Sequence, residues 1–563
     1  MHQCLQIEEI IAAIFTQLDE YVIDPQIVVP PRVLHRDTVA VQTLASLAST
    51  CRTFREPALD VLWRSIPDLN VLIESFMPTE LLIYDRVYRQ LYMLRDPDEA
   101  TWMRLDPYIQ RIRAIGVPTQ PSGLPYRTLD AETVLRPMEI YLKRRSLGSR
   151  PLIPHLQFVV FHPFWINEYY ARLLIHPRLA VLHWPTKAFL PVRRAGGSPD
   201  GEDLDVSGLW DILAELSTQI CLALVRSECL HTLWIKAVTW NVDAFSHLSR
   251  LETLTSLALE SGWSSVIEFP LRSELQFRPF PALKQLLISV AHGEAERFLE
   301  YIQPYSLDAV AIYCDDPTTD GGGVLKRILA LLARLSQPCH IRVVAGKALQ
   351  RAISYWDPSL IGRSAFEFLD DVNGLILAPA FSMNSLRTLE IGTDMILNFQ
   401  SYDILLYTGV FAQNLPHLES LSLVPALDMD LSRGRLTRDV SHMVHNTHTS
   451  WPSLSSLTAL LHLVQCCPRL TRLKLAVEGS IYVDLAYLDP PDDEIRLRHM
   501  ELWATDLDQG LADEIFVRFF ATHFPGLDIL HVILPFAAAD DAASTSAWRE
   551  KARLRWDAVI HAV

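Results

Sequence analysis

The stretch FPALKQLLI, residues 280–288, places apolar side chains at Leu283, Leu286 and Ile288. This order, apolar-x-x-apolar-x-apolar, recurs along the chain, often after a similar lead-in such as LPHL, CPRL or FPGL. The copies begin at Ile112, Leu156, Leu179, Leu230, Leu254, Leu283, Leu307, Leu386, Leu418, Leu470, Leu497 and Leu527. Because side chains alternate across a strand, the last two apolar residues of each copy would point to the same side. The pattern therefore predicts one short strand in each copy.

The spacing of the copies predicts a leucine-rich repeat solenoid. Adjacent copies often start 23 to 32 residues apart, and some intervals are longer, near 44 to 52 residues. A short strand that recurs at such intervals is typical of this architecture. Between the copies, apolar residues at helical spacing predict helices at 205–226, 292–303, 324–335, 400–413, 454–466 and 511–523. A strand and a helix in each unit give an α/β fold with parallel strands on one face and helices on the other. The alternative is an unrelated α/β fold in which the pattern recurs by chance.

The first seventy residues have a different pattern. Residues 7–18, IEEIIAAIFTQL, carry apolar side chains at intervals of three and four, which predicts a short amphipathic helix. After the proline-containing segment 19–37, a second helical pattern runs from Val39 to Phe54. A third helix, with Pro57 near its start, is predicted to continue to Trp63. Three short helices make a very small core, so we expect this module to dock on a partner.

These N-terminal residues resemble an F-box, in the F-box-like form that is common in large families of mushroom-forming fungi. Three stretches carry the resemblance: EIIAAIFTQL at 9–18, LASLASTCRTF at 44–54 and REPALDVLWR at 55–64. The match covers residues 5–70. It implies that this region binds the Skp-type adaptor of a cullin–RING ubiquitin ligase, while the repeats hold a protein substrate. The apolar residues expected to serve adaptor binding are Ile10, Ile14, Phe15, Leu18, Leu44, Leu47, Leu59 and Trp63.

The chain is therefore expected to contain four regions. An F-box-like module occupies 1–75, and a connecting helical segment follows at 76–105. The solenoid, with insertions, extends over 106–540. A C-terminal helix or cap completes the chain at 541–563.

The predicted strands also indicate where a substrate would bind. Residues between the inward leucines, or just after them, are expected to face the concave side of the solenoid. The residues predicted there for substrate binding are Trp234, Lys236, Glu390, Arg472, Lys474, His499, Glu501 and Trp503, and Glu260 and His531 occupy equivalent positions. Trp and Arg are over-represented in binding hot spots. We place the substrate contact in the C-terminal group that contains Arg472, Lys474, Glu501 and Trp503, because it comes from consecutive repeats.

Composition excludes several classes of function. The 563-residue chain has a formal net charge of −16, so it has no general attraction to nucleic acid or anionic lipid. Its eight cysteines are scattered without a CxxC pair, which predicts free thiols rather than a disulfide framework. Glu8 and Glu9 stand where a secretory signal would carry basic residues, and no apolar run approaches the ~20 residues of a membrane helix. We therefore expect a cytoplasmic or nuclear protein.

The sequence contains no recognisable catalytic motif. His442, His445 and His448 form an HxxHxxH run, but their polar neighbours indicate a loop, and we expect no metal site there. No cofactor is expected, and the leading hypothesis is a non-catalytic substrate-recognition subunit. A second hypothesis is a repeat scaffold that no longer joins a ligase, which Glu8 favours because it replaces a proline usual in the family. A third is an enzyme with a dispersed active site.

Overall fold

A computed structural model of the chain describes about half of its residues. The described ranges are 8–18, 38–86, 90–116, 128–145, 153–161, 168–184, 220–222, 224–225, 227–237, 242–261, 279–302, 307–315, 321–335, 338–345, 380, 382–393, 415–425, 463–465, 467–477, 496–504, 520–524 and 526–533. The chain divides into two compact units, Met1–Leu283 and Lys284–Val563.

The described residues form helices and short strands. The helices are α1 (Glu8–Leu18), α2 (Thr38–Thr50), α3 (Arg52–Leu62), α4 (Leu69–Phe76), α5 (Glu99–Met103), α6 (Asp106–Ile109), α7 (Arg136–Arg145), α8 (Glu168–Leu174), α9 (Val242–Arg250), α10 (His292–Ile302) and α11 (Gly321–Leu335). The strands of the first unit are β1 (Ser65–Ile66), β2 (Leu82–Asp85), β3 (Gln90–Met93), β4 (Ala114–Ile115), β5 (Thr128–Leu129), β6 (Phe158–Val160), β7 (Val181–Trp184), β8 (Thr232–Ala237) and β9 (Ser256–Ser261). Those of the second unit are β10 (Gln285–Ala291), β11 (Ala309–Asp315), β12 (His340–Ala345), β13 (Thr388–Thr393), β14 (Ser420–Pro425), β15 (Arg472–Val477), β16 (His499–Ala504) and β17 (Ile529–Ile533).

The main sheet is a long parallel sheet of fourteen strands that follow one another in chain order. Six of them lie in the first unit (β1, β4, β6, β7, β8 and β9) and eight in the second (β10 to β17). Its strand order is open and does not close into a barrel. The architecture is a mixed α/β fold compatible with a repeat solenoid. Each of the twelve predicted copies places its second apolar residue in one of these strands, so this part of the prediction is confirmed.

The core lies on the side of the sheet to which the leucines of the pattern point. In β10, for example, Leu286 and Ile288 are fully buried, and so is Leu283, which precedes the strand. The register aligns the repeats, because Leu286 is paired with Val310 of β11. Burying one such side chain stabilises the fold by roughly 1.5–3 kcal/mol, so a stack of them forms a continuous core along each unit.

Two strands of the main sheet were not predicted. In β12 the first position of the pattern is Pro338, followed by buried Ile341 and Val343. Proline in place of leucine concealed this copy, and the 79 residues from Leu307 to Leu386 divide there into intervals of 31 and 48. The other strand is β1, which has only two residues and no leading leucine.

The three N-terminal helices pack as a small module. Ile11 and Phe15 of α1, Leu44 of α2, and Ala58 and Val61 of α3 form its buried core. The predicted extension of the second helix to Phe54 is wrong. The chain is extended at Cys51, and a new helix begins there because the amides of Phe54 and Arg55 donate to the Cys51 carbonyl at 3.2 and 3.1 Å.

That new start also changes the position of proline in the third helix. Pro57 is the sixth residue of α3 rather than one of its first, so the prediction that it lies near the helix start is wrong. Proline has no amide hydrogen to donate to the Thr53 carbonyl one turn earlier. The helix nevertheless continues to Leu62, with the Pro57 ring buried.

The connecting segment 76–105 is not only helical. It contains α5 but also the antiparallel pair β2 and β3, which β5 extends into a three-stranded side sheet. In β3 the buried residues Leu91 and Met93 alternate with half-buried ones, a period of two that favours a strand over a helix. The prediction of a helical connection is therefore corrected.

The main sheet begins inside the region assigned to the N-terminal module. The predicted boundary at residue 75 falls after β1, and β1 pairs with β4, as Ser65 with Ala114 and Ile66 with Ile115. Whether residues 1–75 form a separate domain stays a prediction.

The helices predicted between strands are borne out in the second unit at 292–303 and 324–335, where α10 and α11 lie. Short helical pieces at 220–222, 463–465 and 520–523 fall within three other predicted helices. The helix predicted at 400–413 and the C-terminal cap at 541–563 lie outside the described residues. None of the described helices is long and apolar enough to cross a membrane.

Candidate recognition surfaces

One face of α1 exposes two large aliphatic side chains. Ile10 is 38% exposed and Ile14 is 46% exposed, whereas Ile11 and Phe15 of the same helix are buried. Residues four apart lie on the same side of a helix, so Ile10 and Ile14 form one outward strip. Val39 near the start of α2 is also exposed. The module thus keeps an apolar surface besides its own core.

The other predicted adaptor-binding residues are divided between the core and a junction. Phe15 and Leu44 lie in the module core, and Leu47 packs against it. Leu59 is half-buried, and the Leu18 side chain lies outside the described residues. The prediction did not separate core from surface, because both contribute to the same apolar stripe of a helix.

Trp63 belongs to the junction between α3 and the segment that follows. Its ring lies 5.2 Å from that of Phe76 and 4.9 Å from that of Tyr108, and the Phe76 and Tyr108 rings stack at 3.9 Å. Such aromatic contacts contribute beyond the area they bury. Trp63 therefore anchors α3 to α4 and α6.

Arg111 reinforces this junction with charge. Its guanidinium pairs with the carboxylates of Glu56 and Asp60 on α3 and donates to the Glu56 carbonyl at 3.2 Å. Arg111 also donates to the Pro107 carbonyl at 3.0 Å. Since four acceptors orient one planar guanidinium, the α3 helix has a fixed attachment on this side.

The second candidate surface is the strand face of the second unit that is opposite to its leucine core. Backbone register aligns Arg342, Glu390, Ser422, Lys474 and Glu501 in one row across β12 to β16. Lys474 Nζ lies 2.9 Å from Glu501 Oε1, so two predicted substrate-binding residues form an ion pair with each other. Both side chains are partly buried.

A second ion pair lies in the same row. Glu390 pairs with Arg342, whose Nη1 also donates to the Tyr313 hydroxyl at 3.4 Å. Burial lowers the pKa of the Arg342 guanidinium, but Tyr313 and Glu390 raise it by more, so its pKa lies above the ordinary value. Sequence reasoning missed Arg342 because β12 was missed, and the signal that could have found it is the pattern Pro338, Ile341, Val343.

The remaining predicted substrate-binding residues of this unit differ in exposure. Arg472 and His499, aligned in register on β15 and β16, are both exposed. Trp503 and His531 lie in described strands, but their side chains are outside the described residues. The structure therefore brings Arg472, Lys474, His499 and Glu501 together on two adjacent strands.

In the first unit, Trp234 is not displayed to solvent as predicted. It is only 8% exposed, and its ring stacks on that of His183 with the centroids 4.1 Å apart. His183 and Trp234 are register partners on β7 and β8, so the stack is a cross-strand pair. Strand alternation gave the correct face, but it did not reveal that this face is covered here. The side chains of Lys236 and Glu260 are outside the described residues.

Within the described ranges, no group of three His, Cys, Asp or Glu side chains is placed to hold a metal ion. The HxxHxxH run at 442–448 lies outside those ranges.

Neither models of known protein families nor the sequences of curated proteins give a match to this chain.

Proposed function

We propose that the chain is the substrate-recognition subunit of an SCF-type ubiquitin ligase and carries no catalytic step itself. In this proposal α1 to α3 bind a Skp-type adaptor and, through it, a cullin. The repeats bind a protein target. Such a subunit acts by effective concentration, because it holds the target near the charged ubiquitin-conjugating enzyme. It would work in the cytoplasm or the nucleus.

The observation that carries the proposal is the outward strip of α1. Ile10 and Ile14 are exposed although Ile11 and Phe15 already provide a core for the same helix. Large exposed apolar patches mark interaction sites, and Ile10 and Ile14 would form part of such a patch. Together with the resemblance to an F-box over residues 5–70, this strip supports an adaptor as the partner.

The replacement of the usual family proline by Glu8 is compatible with this role. Glu8 is the first residue of α1 that the structure describes. In the first turn of a helix, proline is favourable because its missing amide costs nothing, and a carboxylate is favourable because of the helix dipole. The alternative function, a repeat scaffold that does not join a ligase, predicts the same helix without adaptor binding.

Adaptor binding tests the proposal directly. We expect wild-type chain to co-purify with a recombinant Skp-type adaptor, and Ile10→Ala/Ile14→Ala to weaken the complex. Truncating two interface isoleucines to alanine should reduce the binding free energy by about 2–4 kcal/mol, which is a thirty- to several-hundred-fold increase in Kd. Both residues are exposed, so the variant should keep the melting temperature of wild type.

The matched control is Leu94→Ala, which truncates an exposed aliphatic residue just after β3. It should bind the adaptor like wild type. Failure of the wild-type chain to bind the adaptor would favour the scaffold. Equal binding by wild type and Ile10→Ala/Ile14→Ala would mean that α1 does not provide the contact.

A further inference from the structure

One edge of the second unit gathers four exposed arginines. Arg387 directly precedes β13, and Arg498 directly precedes β16. Arg472 is the first residue of β15, and Arg469 stands three residues before it. The beginnings of parallel strands meet at the same edge of a sheet. We call this set the arginine edge.

Neighbouring repeats hold three of these arginines in place. Arg387 Nη1 lies 3.7 Å from Glu419 Oε1, and Arg469 Nη1 lies 2.9 Å from His417 Nδ1. Arg498 Nη1 donates to the Gly526 carbonyl at 2.9 Å. A guanidinium has five N–H donors in a planar fork, so each of these contacts leaves donors for a ligand.

Arg472 is the least engaged of the four. Its side chain makes no hydrogen bond or ion pair with any residue in the described ranges, and its register partner His499 is also exposed. The positive charge of Arg472 nevertheless affects the pKa of a nearby histidine. Burial is the main cause that lowers the pKa of His340 on β12, and Arg387 and Arg472 lower it further against the opposing effects of Glu419 and Asp308.

The local charge balance is the reverse of that of the chain. In the whole sequence, 66 acidic residues exceed 50 basic ones. Along the described edge from β13 to β17, the arginine edge is opposed by the carboxylates of Glu419 and Asp528 only. A local excess of positive charge in an acidic protein selects a negatively charged ligand.

We infer that the arginine edge binds an extended acidic peptide, through aspartate and glutamate carboxylates of the bound protein. Guanidinium groups recognise carboxylates bidentately, which suits arginine better than lysine. From β13 to β16 is three strand spacings, about 14 Å, which an extended peptide covers in about four to five residues. The inference rests on the recognition role proposed for the repeats and not on adaptor binding.

Fluorescence anisotropy with the full chain alone tests this inference. The probe is a labelled eight-residue peptide rich in Glu and Asp, and its control carries Gln and Asn at the same positions. We expect the acidic peptide to bind, with an affinity that falls at least tenfold between 50 and 300 mM salt. Arg472→Ala/Arg498→Ala should weaken binding at least tenfold. The matched control Arg334→Ala, an exposed arginine on α11, should leave it unchanged.

Three results would overturn the inference. These are equal binding of the acidic and the neutral peptide, unchanged binding by Arg472→Ala/Arg498→Ala, and at least tenfold tighter binding of a phosphoserine peptide or an oligouridylate. If the alanine variant does not fold, Arg472→Gln/Arg498→Gln keeps most of the side-chain packing while removing the charge, and the same thresholds apply. Because no adaptor is in the assay, its outcome is independent of the co-purification test.

Discussion

Gly116, directly after β4, has a φ of +90°, a conformation that side chains with a Cβ rarely adopt. A Cβ built on it would lie 1.8 Å from the Val160 carbonyl oxygen of β6, so the backbone itself would have to move. The Gly116 amide donates to the Ile66 carbonyl at 3.0 Å, so a shift here also disturbs β1. The packing of β1, β4 and β6 against one another therefore requires glycine at position 116.

We expect Gly116→Ala to lower the free energy of unfolding by at least about 2 kcal/mol, because the positive φ alone costs 1–2 kcal/mol and the contact adds to it. Gly293→Ala is the matched control. Gly293 lies in α10 with nothing within 4 Å of its added Cβ, and alanine is the better helix former by up to about 1 kcal/mol. Urea unfolding followed by circular dichroism measures both. Similar losses for the two variants would contradict this account.

Asp68 caps the N-terminus of α4, and its ionisation makes the stability of the fold depend on pH. Its carboxylate accepts from the Val71 amide at 3.1 Å, and burial raises its pKa to about 6 from 3.8. A raised pKa means that the folded state binds the proton more tightly than the unfolded state. The stability from this group is therefore complete below pH 3.8 and is lost as the pH rises through about 6.

Asp68→Asn keeps a capping oxygen but cannot ionise. Relative to wild type, it should gain about 1–2 kcal/mol in free energy of unfolding between pH 4.5 and pH 7.5, allowing for partial exposure of the site. The control is Asp98→Asn at the cap of α5, where a hydrogen bond from Thr101 lowers the pKa. Asp98 is ionised throughout that range, so its variant should show a constant difference. A constant difference for Asp68→Asn as well would mean that Asp68 is ionised in the folded protein.

At the scale of elements, β1 is only two residues long, but it is the first strand of the main sheet and covers the edge of β4. The amides of Arg113 and Ala114 donate to the Arg64 carbonyl at 2.8 and 2.9 Å. The helix after β1, α4, buries Leu69 and Leu72 completely. Removing both elements would uncover the β4 edge and leave a cavity in the core.

Two truncations isolate this contribution. Chains starting at residue 64 and at residue 76 both lack α1 to α3, and only the first retains β1 and α4. We expect the chain from 76 to melt several degrees lower and to aggregate more readily, measured by differential scanning fluorimetry and light scattering. Identical melting temperatures would show that β1 and α4 do not stabilise the rest of the sheet, and that a domain boundary at residue 75 is acceptable.

The elements also show how far the sequence alone can predict the structure. Strand positions followed directly from the leucine pattern, because Leu473 and Leu475 of β15 are buried while Arg472 and Lys474 between and beside them are not, which is the alternation that the pattern encodes. Partners across strands did not follow. The pairs Lys474–Glu501 and Arg342–Glu390 depend on which strands are neighbours, and in the second case on β12, whose leading Pro338 concealed it. Exposure was least predictable, since Trp234 and Arg472 are both predicted on the face opposite to the leucines and only Arg472 is exposed.

At the scale of the molecule, the two proposed binding roles are assigned to different parts of the chain. The apolar strip is in the first unit, on α1, and the arginine edge is in the second, at β13 to β16. Their chemistry differs as well, since apolar burial depends weakly on salt and guanidinium–carboxylate contacts depend on it strongly. Raising the ionic strength should therefore release an acidic ligand from the arginine edge, while an adaptor stays bound to α1.

The connections between strands have very unequal lengths, although the strands themselves stay aligned. Seventeen residues separate β10 from β11 and forty-two separate β12 from β13, yet both pairs keep an uninterrupted register. The extra chain-closure entropy of the longer connection is only about 0.8 kcal/mol. The register of neighbouring strands is set by the strand residues, so the lengths of the connections can change during evolution at little cost in stability. Related chains should differ most in these connections, and a reporter peptide inserted into the forty-two-residue connection between β12 and β13 should leave the fold of the second unit intact.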